Sequence, residues 1–341
     1  MPNEFIQLLS KADAWLCEGR QVAIVSVVKT WGSSPRPAGS LMVVAEDGDF
    51  VGSVSGGCIE GAVLEQAQRT AADGLPRFQF FAVGNDRAWE VGLSCGGSLE
   101  VLIEQAQKPM LDEIRQALLA RQSRVYVTEI RHLYPFSVKC LVSSPQDERV
   151  PLEAVEAVRL ALLHGQPLTV WFEERKRFFV QPFVPSARLL VFGAVHIAQS
   201  LCKMAAMCGY EVTLIDPRTA FATPQRFPEQ TLCTDWPTQA FLSHPVDEHT
   251  AVVTLTHDPK LDDPALEEAL HKGAFYVGAL GSRKTHEARL KRLSDRGFLP
   301  EVLARIAGPV GLPINARSPS EIAVAILAQL IEARWSMGGV L

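Results

Sequence analysis

In its second half the chain alternates apolar, β-branched runs with helical patterns, and this alternation constrains the fold more than any other feature. Arg188–Phe192 has the composition of a buried strand, and Gly193 and a helical pattern follow it directly. A second strand pattern, Glu211–Ile215, ends at Asp216. Repeated strand–helix–strand units build doubly wound parallel sheets. We therefore predict a Rossmann-like, doubly wound parallel sheet for residues 186–341.

The first of these units carries part of a dinucleotide-binding pattern. Asp216 lies 23 positions after Gly193, the spacing at which such folds bind a ribose hydroxyl. Val195 occupies the position of the second glycine, where its side chain would crowd a pyrophosphate. An NAD(P)-dependent oxidoreductase stays open as an alternative function, although the sequence shows no obvious set of residues for hydride transfer.

Polar residues also follow two later strand patterns of the second half. His257 and Asp258 follow one of them, and Ser282 and Arg283 follow the next. Ligands of doubly wound sheets bind beyond the carboxyl ends of the strands, so these four residues are candidate ligand contacts. Alternatively, His257 and Asp258 only cap a strand end, and Arg283 is a solvated basic side chain. We further expect a helix to open at Asp263-Pro264, with the aspartate as its N-cap.

The first half carries two cysteines beside glycine pairs. Gly56 and Gly57 precede Cys58, and a helical pattern begins at Ile59. We expect Cys58 in the first turn of that helix, where free N–H groups and the helix dipole lower a thiol pKa. Cys95 precedes a second glycine pair, so the two thiols are candidates for one shared pocket. The alternatives are a buried structural cysteine and two independent tight turns.

Length and local composition indicate two domains. A chain of 341 residues exceeds what one hydrophobic core usually holds. Strand and helix patterns intermix over residues 1–185, which indicates a mixed α+β domain there. Pro182, Pro185 and Ser186 mark the boundary to the second domain.

Charge and cysteine usage exclude several classes of function. The net charge of −5 argues against a nucleic-acid-binding protein. No apolar run approaches the roughly 20 residues that a membrane span needs, and the N-terminus has no signal-peptide pattern. Seven cysteines without a C-x-x-C pair fit a reducing cytoplasm and argue against a zinc site. We assign Cys202 and Cys208 to helix packing.

Taken together, these motifs resemble the XdhC/CoxF family, the accessory proteins of xanthine dehydrogenase and related molybdenum hydroxylases. Two positions depart from the family pattern, since Ser55 and Val195 stand where the family usually has glycine. The matching segments follow the family's order over most of the chain: 32–36 with Gly39, 55–60, 92–97, 193–198, 215–218, 256–258, 281–284 and 308–326.

The resemblance implies an accessory chaperone rather than a stand-alone enzyme. Such a protein binds the molybdenum cofactor, as molybdopterin or its cytosine dinucleotide, and supports replacement of an oxo by a sulfido ligand. It then delivers the cofactor to the apo-hydroxylase. The implied partners are a molybdenum hydroxylase apo-enzyme and a cysteine desulfurase, and we expect a homodimer as the common oligomeric state.

The resemblance also suggests roles for the candidate residues of the first half. Thiolates suit a soft metal or a persulfide, so Cys58 is expected to face molybdenum or sulfur, with Cys95 as a second thiol nearby. Gly56 and Gly57 form the turn, and Arg36 supplies charge from the opposite loop.

In the second half, Ser282, Arg283 and the following helix N-terminus are expected to hold phosphate, and Asp216 a ribose. Gly193, His257 and Asp258 complete the candidate cofactor contacts. Two further functions stay open: a sulfurtransferase that acts alone through Cys58, and a docking scaffold in which neither glycine turn touches a ligand.

Overall fold

The computed structural model describes residues 2–31, 36–55, 59–82, 98–131, 139–172 and 176–336. The chain divides into two compact units, which we call unit 1 (Met1–Pro185) and unit 2 (Ser186–Leu341). Within the described residues, no helix has both the length and the hydropathy to cross a membrane.

Unit 1 combines helices with two antiparallel sheets. Its described helices are α1 (Pro2–Cys17), α2 (Glu60–Asp73), α3 (Lys108–Leu119) and α4 (Val155–His164), the last preceded by a 3₁₀ turn, Leu152–Ala154. Its described strands are β1 (Val22–Trp31), β2 (Leu41–Ala45), β3 (Phe50–Gly52), β4 (Arg77–Ala82), β5 (Ser98–Gln105), β6 (Arg124–Arg131), β7 (Lys139–Val142), β8 (Leu168–Phe172) and β9 (Lys176–Phe183).

The two sheets of unit 1 have the strand orders β3-β2-β1-β5-β4 and β7-β6-β9-β8. Period-2 alternation gives each sheet two apolar faces. The outer face of the first sheet packs on α2, and the outer face of the second packs on α4. The inner faces share a core with α1 and α3, to which Leu9, Ile114, Leu141 and Phe183 belong. Unit 1 is therefore a mixed α+β unit, as the sequence predicts.

Unit 2 is built on one parallel six-stranded sheet. Its described strands are β10 (Arg188–Phe192), β11 (Glu211–Ile215), β12 (Thr231–Cys233), β13 (Thr250–Thr254), β14 (Tyr276–Ala279) and β15 (Ile306–Ala307). Its described helices are α5 (His196–Met207), α6 (Pro237–Ser243), α7 (Pro259–His271), α8 (Arg283–Asp295), α9 (Pro300–Leu303) and α10 (Pro319–Ser336).

The strand order of this sheet, β12-β11-β10-β13-β14-β15, is the classical order of dinucleotide-binding folds. Every described strand pair of this sheet is parallel. Helices α5 and α10 cover one face, and α6, α7 and α8 cover the other. The sequence prediction of a doubly wound parallel sheet is confirmed.

One predicted helix start is wrong. Helix α7 begins at Pro259 rather than at Asp263-Pro264, because Asp258 caps it by accepting a hydrogen bond from the Lys260 N–H at 3.0 Å. Pro264 lies inside the helix. Helix α2 begins at Glu60 with Ile59 as its N-cap, and Cys58, expected in its first turn, lies outside the described residues.

The prediction for the two helix-packing cysteines is half right. Cys202 is buried in the core of α5, and burial raises the pKa of its thiol to about 12. Cys208 is exposed and lies just past the end of α5, so it does not pack in the helix core.

Candidate functional site

The described strand ends of unit 1 place a flank of segment 32–35 beside the flanks of segment 83–97, which contains Cys95. Trp31, the last residue of β1, pairs with Ser98, the first residue of β5. Ser98 in turn pairs with Ala82, the last residue of β4. The ends that flank segments 32–35 and 83–97 therefore lie side by side at one edge of the sheet. The predicted residues Gly56, Gly57, Cys58 and Cys95 themselves lie outside the described residues.

A partly buried carboxylate joins the two flanks of segment 56–58. Glu60, the first residue of α2, accepts hydrogen bonds from Ser53 Oγ at 2.9 Å, from Ser55 N at 3.0 Å and from Ser55 Oγ at 2.5 Å. Ser55 Oγ also accepts from the N–H of Ile59 at 3.2 Å. Burial alone would raise the pKa of Glu60, but these hydrogen bonds outweigh it and lower the pKa to about 2. The carboxylate is therefore ionised at neutral pH.

Sequence reasoning missed the role of Glu60. The sequence did contain an indication of this role. An acidic residue stands at the start of the helical pattern that follows the serine–glycine–glycine run. A carboxylate at a helix N-terminus interacts favourably with the free N–H groups there. Ser55 stands where the resemblance predicts glycine, and here its side chain makes two of the hydrogen bonds that hold the segment. The departure from the family pattern therefore supplies a contact that glycine could not make.

The structure places Arg36 beside the same segment. Its Nε donates to the carbonyl oxygen of Ser53 at 3.1 Å, and its guanidinium pairs with Glu4 of α1. Arg36 thus fixes the chain just before Ser55. A direct contact of Arg36 with a ligand stays a prediction.

In unit 2 the loop after β10 requires glycine at residue 193. Gly193 has φ +117°, and its N–H donates to the carbonyl oxygen of Ile215 at 2.9 Å. A Cβ at this position would lie 2.7 Å from Thr256 Cγ2, in the loop that follows β13. Helices α5 and α7 leave β10 and β13 towards opposite faces of the sheet, which makes this edge the topological switch point where such folds bind ligands.

Asp216 holds this switch point together. The side chain is fully buried, and its Oδ2 accepts from Ala194 N at 2.7 Å. Its Oδ1 accepts from Arg218 N at 3.0 Å, and the Arg218 guanidinium contacts both oxygens. Burial alone would raise the pKa of Asp216, yet the hydrogen bonds from Arg218 and Ala194 lower it below its ordinary value. A ribose would have to displace these contacts.

His257 and Asp258 also make contacts within the chain. The His257 backbone has φ +69°, and its N–H donates to Asp262 Oδ2 at 3.2 Å. Thr256 Oγ1 donates to the other oxygen of the same carboxyl group at 2.5 Å. Burial raises the pKa of Asp262. Asp258 is the N-cap of α7, rather than the cap of a strand end that the sequence offered as the alternative. Ligand binding by either residue stays a prediction.

Ser282 is the N-cap of α8. Its Oγ accepts from Thr285 N at 3.2 Å, and Arg283 and Ser282 are both exposed at the start of the helix. Two turns further, the buried Arg289 donates from Nη2 to the carbonyl oxygen of Leu280 at 2.8 Å. Its Nε and Nη1 have no hydrogen-bond partner among the described residues. Burial lowers the pKa of Arg289, which the sequence alone did not mark as special.

A metal site would need several ligating side chains close together. The ranges that the structure describes contain no group of three or more His, Cys, Asp or Glu side chains that could hold a metal ion. Within those ranges, the arrangements above are held by hydrogen bonds and ion pairs.

Comparisons with known proteins identify the family from both units. Residues 15–82 match the model of the XdhC and CoxI family, and residues 189–330 match the model of the XdhC Rossmann domain. The chain is 29% identical over 323 residues to the molybdenum cofactor insertion chaperone PaoD of Escherichia coli, covering 94% of this chain and 85% of PaoD. It is 27% identical to a probable xanthine dehydrogenase subunit of Bacillus subtilis, covering 94% and 96% of the two chains.

A solved structure has the same fold over nearly the whole length. The crystal structure of a xanthine dehydrogenase from Bacillus halodurans superimposes with a TM-score of 0.71 at 26% identity, and the match covers 96% of this chain and 95% of that one. The sequence motifs, the strand order of unit 2 and these matches agree. The chain belongs to the XdhC and CoxI family.

Proposed function

We propose that this protein is a chaperone that binds the molybdenum cofactor and inserts it into a molybdenum hydroxylase. The observation that carries the proposal is the similarity, over 94% of the chain, to a protein named a molybdenum cofactor insertion chaperone. A second relative is named a probable xanthine dehydrogenase subunit, which supports a hydroxylase as the recipient.

The proposed contact with the cargo in unit 1 uses Cys58, with Cys95 as a second thiol. Soft thiolates bind soft metals and carry persulfide sulfur. The Ser55–Glu60 hydrogen bonds support this proposal, because they fix both flanks of the segment that contains Cys58. The same proposal includes support of cofactor sulfuration, with a cysteine desulfurase as the sulfur donor. It also includes a homodimer, in which a second copy of the chain is the partner.

The proposed phosphate contact in unit 2 is the start of α8. Ser282, Arg283 and the free N–H groups of the first turn favour an anion. The buried guanidinium of Arg289 lies on the same helix and is paired with the carboxylate of Asp262 at 3.6 Å. Either cofactor form, the plain pterin or the cytosine dinucleotide, carries a phosphate for such a site.

An NAD(P)-dependent oxidoreductase is the second candidate, and the strand order of unit 2 favours it. Two observations weigh against it. Val195 caps α5 where a pyrophosphate would need glycine. Asp216, the residue that would bind the ribose, already accepts hydrogen bonds at both carboxylate oxygens. The chaperone function therefore has the stronger support.

The test is anaerobic purification from a molybdenum-replete host, followed by pterin and molybdenum assays. We expect the wild-type protein to carry molybdopterin and molybdenum, and Cys58→Ala to carry about tenfold less. Cys17→Ala is the matched control, since Cys17 is an exposed thiol at the end of α1, and its loading should equal wild type.

Two outcomes would contradict the proposal in different ways. Full loading of Cys58→Ala would remove Cys58 from the site while leaving the chaperone function. A wild-type protein that takes up no added cofactor but binds NADH tightly would favour the oxidoreductase.

A further inference from the structure

One exposed cysteine of unit 1 lies in contact with a lysine from another helix. Cys17 is the last residue of α1, and Lys108 is the first residue of α3. Lys108 Nζ donates to Cys17 Sγ at 3.4 Å. Cys17 is exposed and the Lys108 side chain is 48% exposed, so reagents in solution reach both groups. A thiol and an amine on two different helices are therefore in contact and accessible.

The carboxylate of Asp13 lies beside both groups. Asp13 precedes Cys17 by one turn of α1, and it pairs with Lys108 and with Arg115 of α3. Its Oδ1 also accepts from Cys17 Sγ at 3.9 Å. The hydrogen bonds with Asp13 and Cys17 raise the pKa of Lys108, so its nitrogen is an ammonium group at neutral pH. Asp13 is therefore placed to take a proton from that nitrogen.

The contact between Cys17 and Lys108 is fixed by the packing of α1 against α3. The two helices share the core between the sheets of unit 1, where Leu9 of α1 and Ile114 of α3 are fully buried. Since this core holds both helices, only the two side chains have to move for sulfur and nitrogen to approach further.

The surroundings of Cys17 differ from those of the buried cysteines in the described part of the chain. Cys140, Cys202 and Cys233 are buried, and burial raises the pKa of each thiol. Buried thiols of this kind are inert, whereas reactive cysteines are accessible and lie beside cationic side chains. Cys17 meets both conditions for a reactive cysteine.

We propose that Cys17 and Lys108 form a reversible covalent cross-link when the protein meets a hydroperoxide. In the first step the peroxide oxidises the thiol to a sulfenic acid; an S–O bond forms, the O–O bond breaks and water leaves.

In the second step the sulfenic acid condenses with the lysine. Asp13 takes one proton from the Lys108 ammonium group, the nitrogen lone pair forms an S–N bond, and the S–O bond breaks. The departing hydroxide takes a second proton from the nitrogen and becomes water. The product is a sulfenamide, the class of bond that sulfenic acids also form with backbone nitrogen.

The cross-link has a structural consequence for unit 1. It closes the chain between residues 17 and 108, which includes segments 32–35, 56–58 and 83–97. Closing a long loop restricts the unfolded chain and so stabilises the fold. Thiols reverse the bond: a thiolate attacks the sulfur, the lysine nitrogen leaves with a proton, and a second thiol reduces the mixed disulfide. The proposal does not depend on the chaperone function.

Peptide mass mapping of the full chain tests the proposal. The purified protein is treated with hydrogen peroxide, its remaining thiols are alkylated, and it is digested with trypsin. We expect a linked pair of peptides that contain Cys17 and Lys108, about 2 Da lighter than the two separate peptides together, because two hydrogen atoms are lost. Treatment with dithiothreitol before digestion should abolish the linked pair.

Lys108→Arg is the decisive variant, because its guanidinium keeps the positive charge beside Asp13 but offers no amine for the S–N bond. We expect no linked pair from this variant or from Cys17→Ser. Cys208→Ser is the matched control, since it removes another exposed thiol and should give as much linked pair as wild type. After peroxide treatment, the melting temperature of wild type should exceed that of Lys108→Arg by about 5 °C or more.

The proposal is overturned if Cys17 of peroxide-treated wild type is found only as a sulfinic or sulfonic acid or in a disulfide. A linked pair about 14 Da heavier than the separate peptides would contain a bridging oxygen and would contradict the direct S–N bond. Equal melting temperatures of the two oxidised proteins would contradict stabilisation by the cross-link. Cofactor loading is measured on anaerobic protein, so the chaperone function and the cross-link can fail separately.

Discussion

Glu60 shows how one ionised side chain can hold a segment whose function depends on neighbouring residues. Its carboxylate accepts hydrogen bonds from Ser53 and Ser55, which precede segment 56–58, while Glu60 itself begins the helix that follows. Hydrogen bonds to an ionised acceptor are stronger than those between neutral groups. We infer that the charge of Glu60, more than its shape, holds the two flanks together.

The variant Glu60→Gln tests this inference. We expect a loss of about 1–3 kcal/mol in the free energy of unfolding at pH 7, measured by urea denaturation. Because the folded pKa is about 2 and the ordinary value 4.5, the carboxylate stabilises the fold above pH 4.5 and loses this effect as the pH falls towards 2. The difference between variant and wild type should shrink over that range.

Glu65→Gln is the control for this experiment, because Glu65 pairs with the exposed Arg69 on the same helix. It should change the free energy of unfolding by less than about 0.5 kcal/mol. An effect of Glu60→Gln that does not vary between pH 7 and pH 3 would contradict the role assigned to the charge.

A second prediction about a single residue concerns Gly193. Its φ of +117° lies in a region that side chains rarely adopt, and a Cβ would meet Thr256 Cγ2. Gly193→Ala should therefore lower the free energy of unfolding by about 2–4 kcal/mol. Gly209→Ala is the matched control: φ is +82°, but nothing lies within 4 Å of its Cβ, so we expect about 1 kcal/mol. Equal losses of unfolding free energy in the two variants would show that the contact with Thr256 does not contribute to the effect of Gly193→Ala.

The candidate residues show what a sequence can specify at this scale. Asp216 directly follows β11, as the sequence predicts, whereas Asp258 lies four residues past the end of β13, at the start of α7. Their partners could not be predicted. Arg218 and the Ala194 N–H satisfy Asp216, and the Lys260 N–H satisfies Asp258. These contacts depend on the conformation of loops, and hydrophobic periodicity does not predict loop conformation.

At the scale of elements, buried carboxylates of α7 join it to α8, and Asp263 makes the shortest of these contacts. Asp263 is fully buried in α7, and both of its oxygens accept from the guanidinium of Arg292 in α8, each at 2.8 Å. The sequence analysis placed Asp263 at a helix start, as an N-cap. Its side chain instead bonds to Arg292, 29 residues further along the chain, which a local sequence pattern does not reveal.

Replacing Asp263 should therefore weaken the packing of two helices. We expect Asp263→Ala to lower the free energy of unfolding by about 2–3 kcal/mol, less than for a fully buried pair because Arg292 remains one-third exposed and can reach water. Asp295→Ala, at the exposed end of α8, is the control and should lie within about 0.5 kcal/mol of wild type. A loss no larger than that of the control would mean that the ion pair does not couple the helices.

At the scale of the whole molecule, the pattern of alternating strands and helices predicted the sheet of unit 2 but not its edges. The two edge strands, Thr231–Cys233 and Ile306–Ala307, have three and two residues, too few to show a period. They form because the neighbouring strands β11 and β14 offer unpaired backbone groups. The central strands are longer and strongly β-branched, and these were predicted.

We expect unit 2 to fold without unit 1, since the described residues of its two hydrophobic clusters all belong to unit 2. A chain of about 150 residues buries enough surface for an independent domain. We expect fragment 186–341 to show native-like circular dichroism and one cooperative urea transition. Fragment 194–341 is the control: it lacks β10, which pairs with both β11 and β13 in the middle of the sheet, and it should not unfold cooperatively. If fragment 186–341 lacks a cooperative transition, residues outside unit 2 are required for its stability, because the sheet and both clusters are then insufficient.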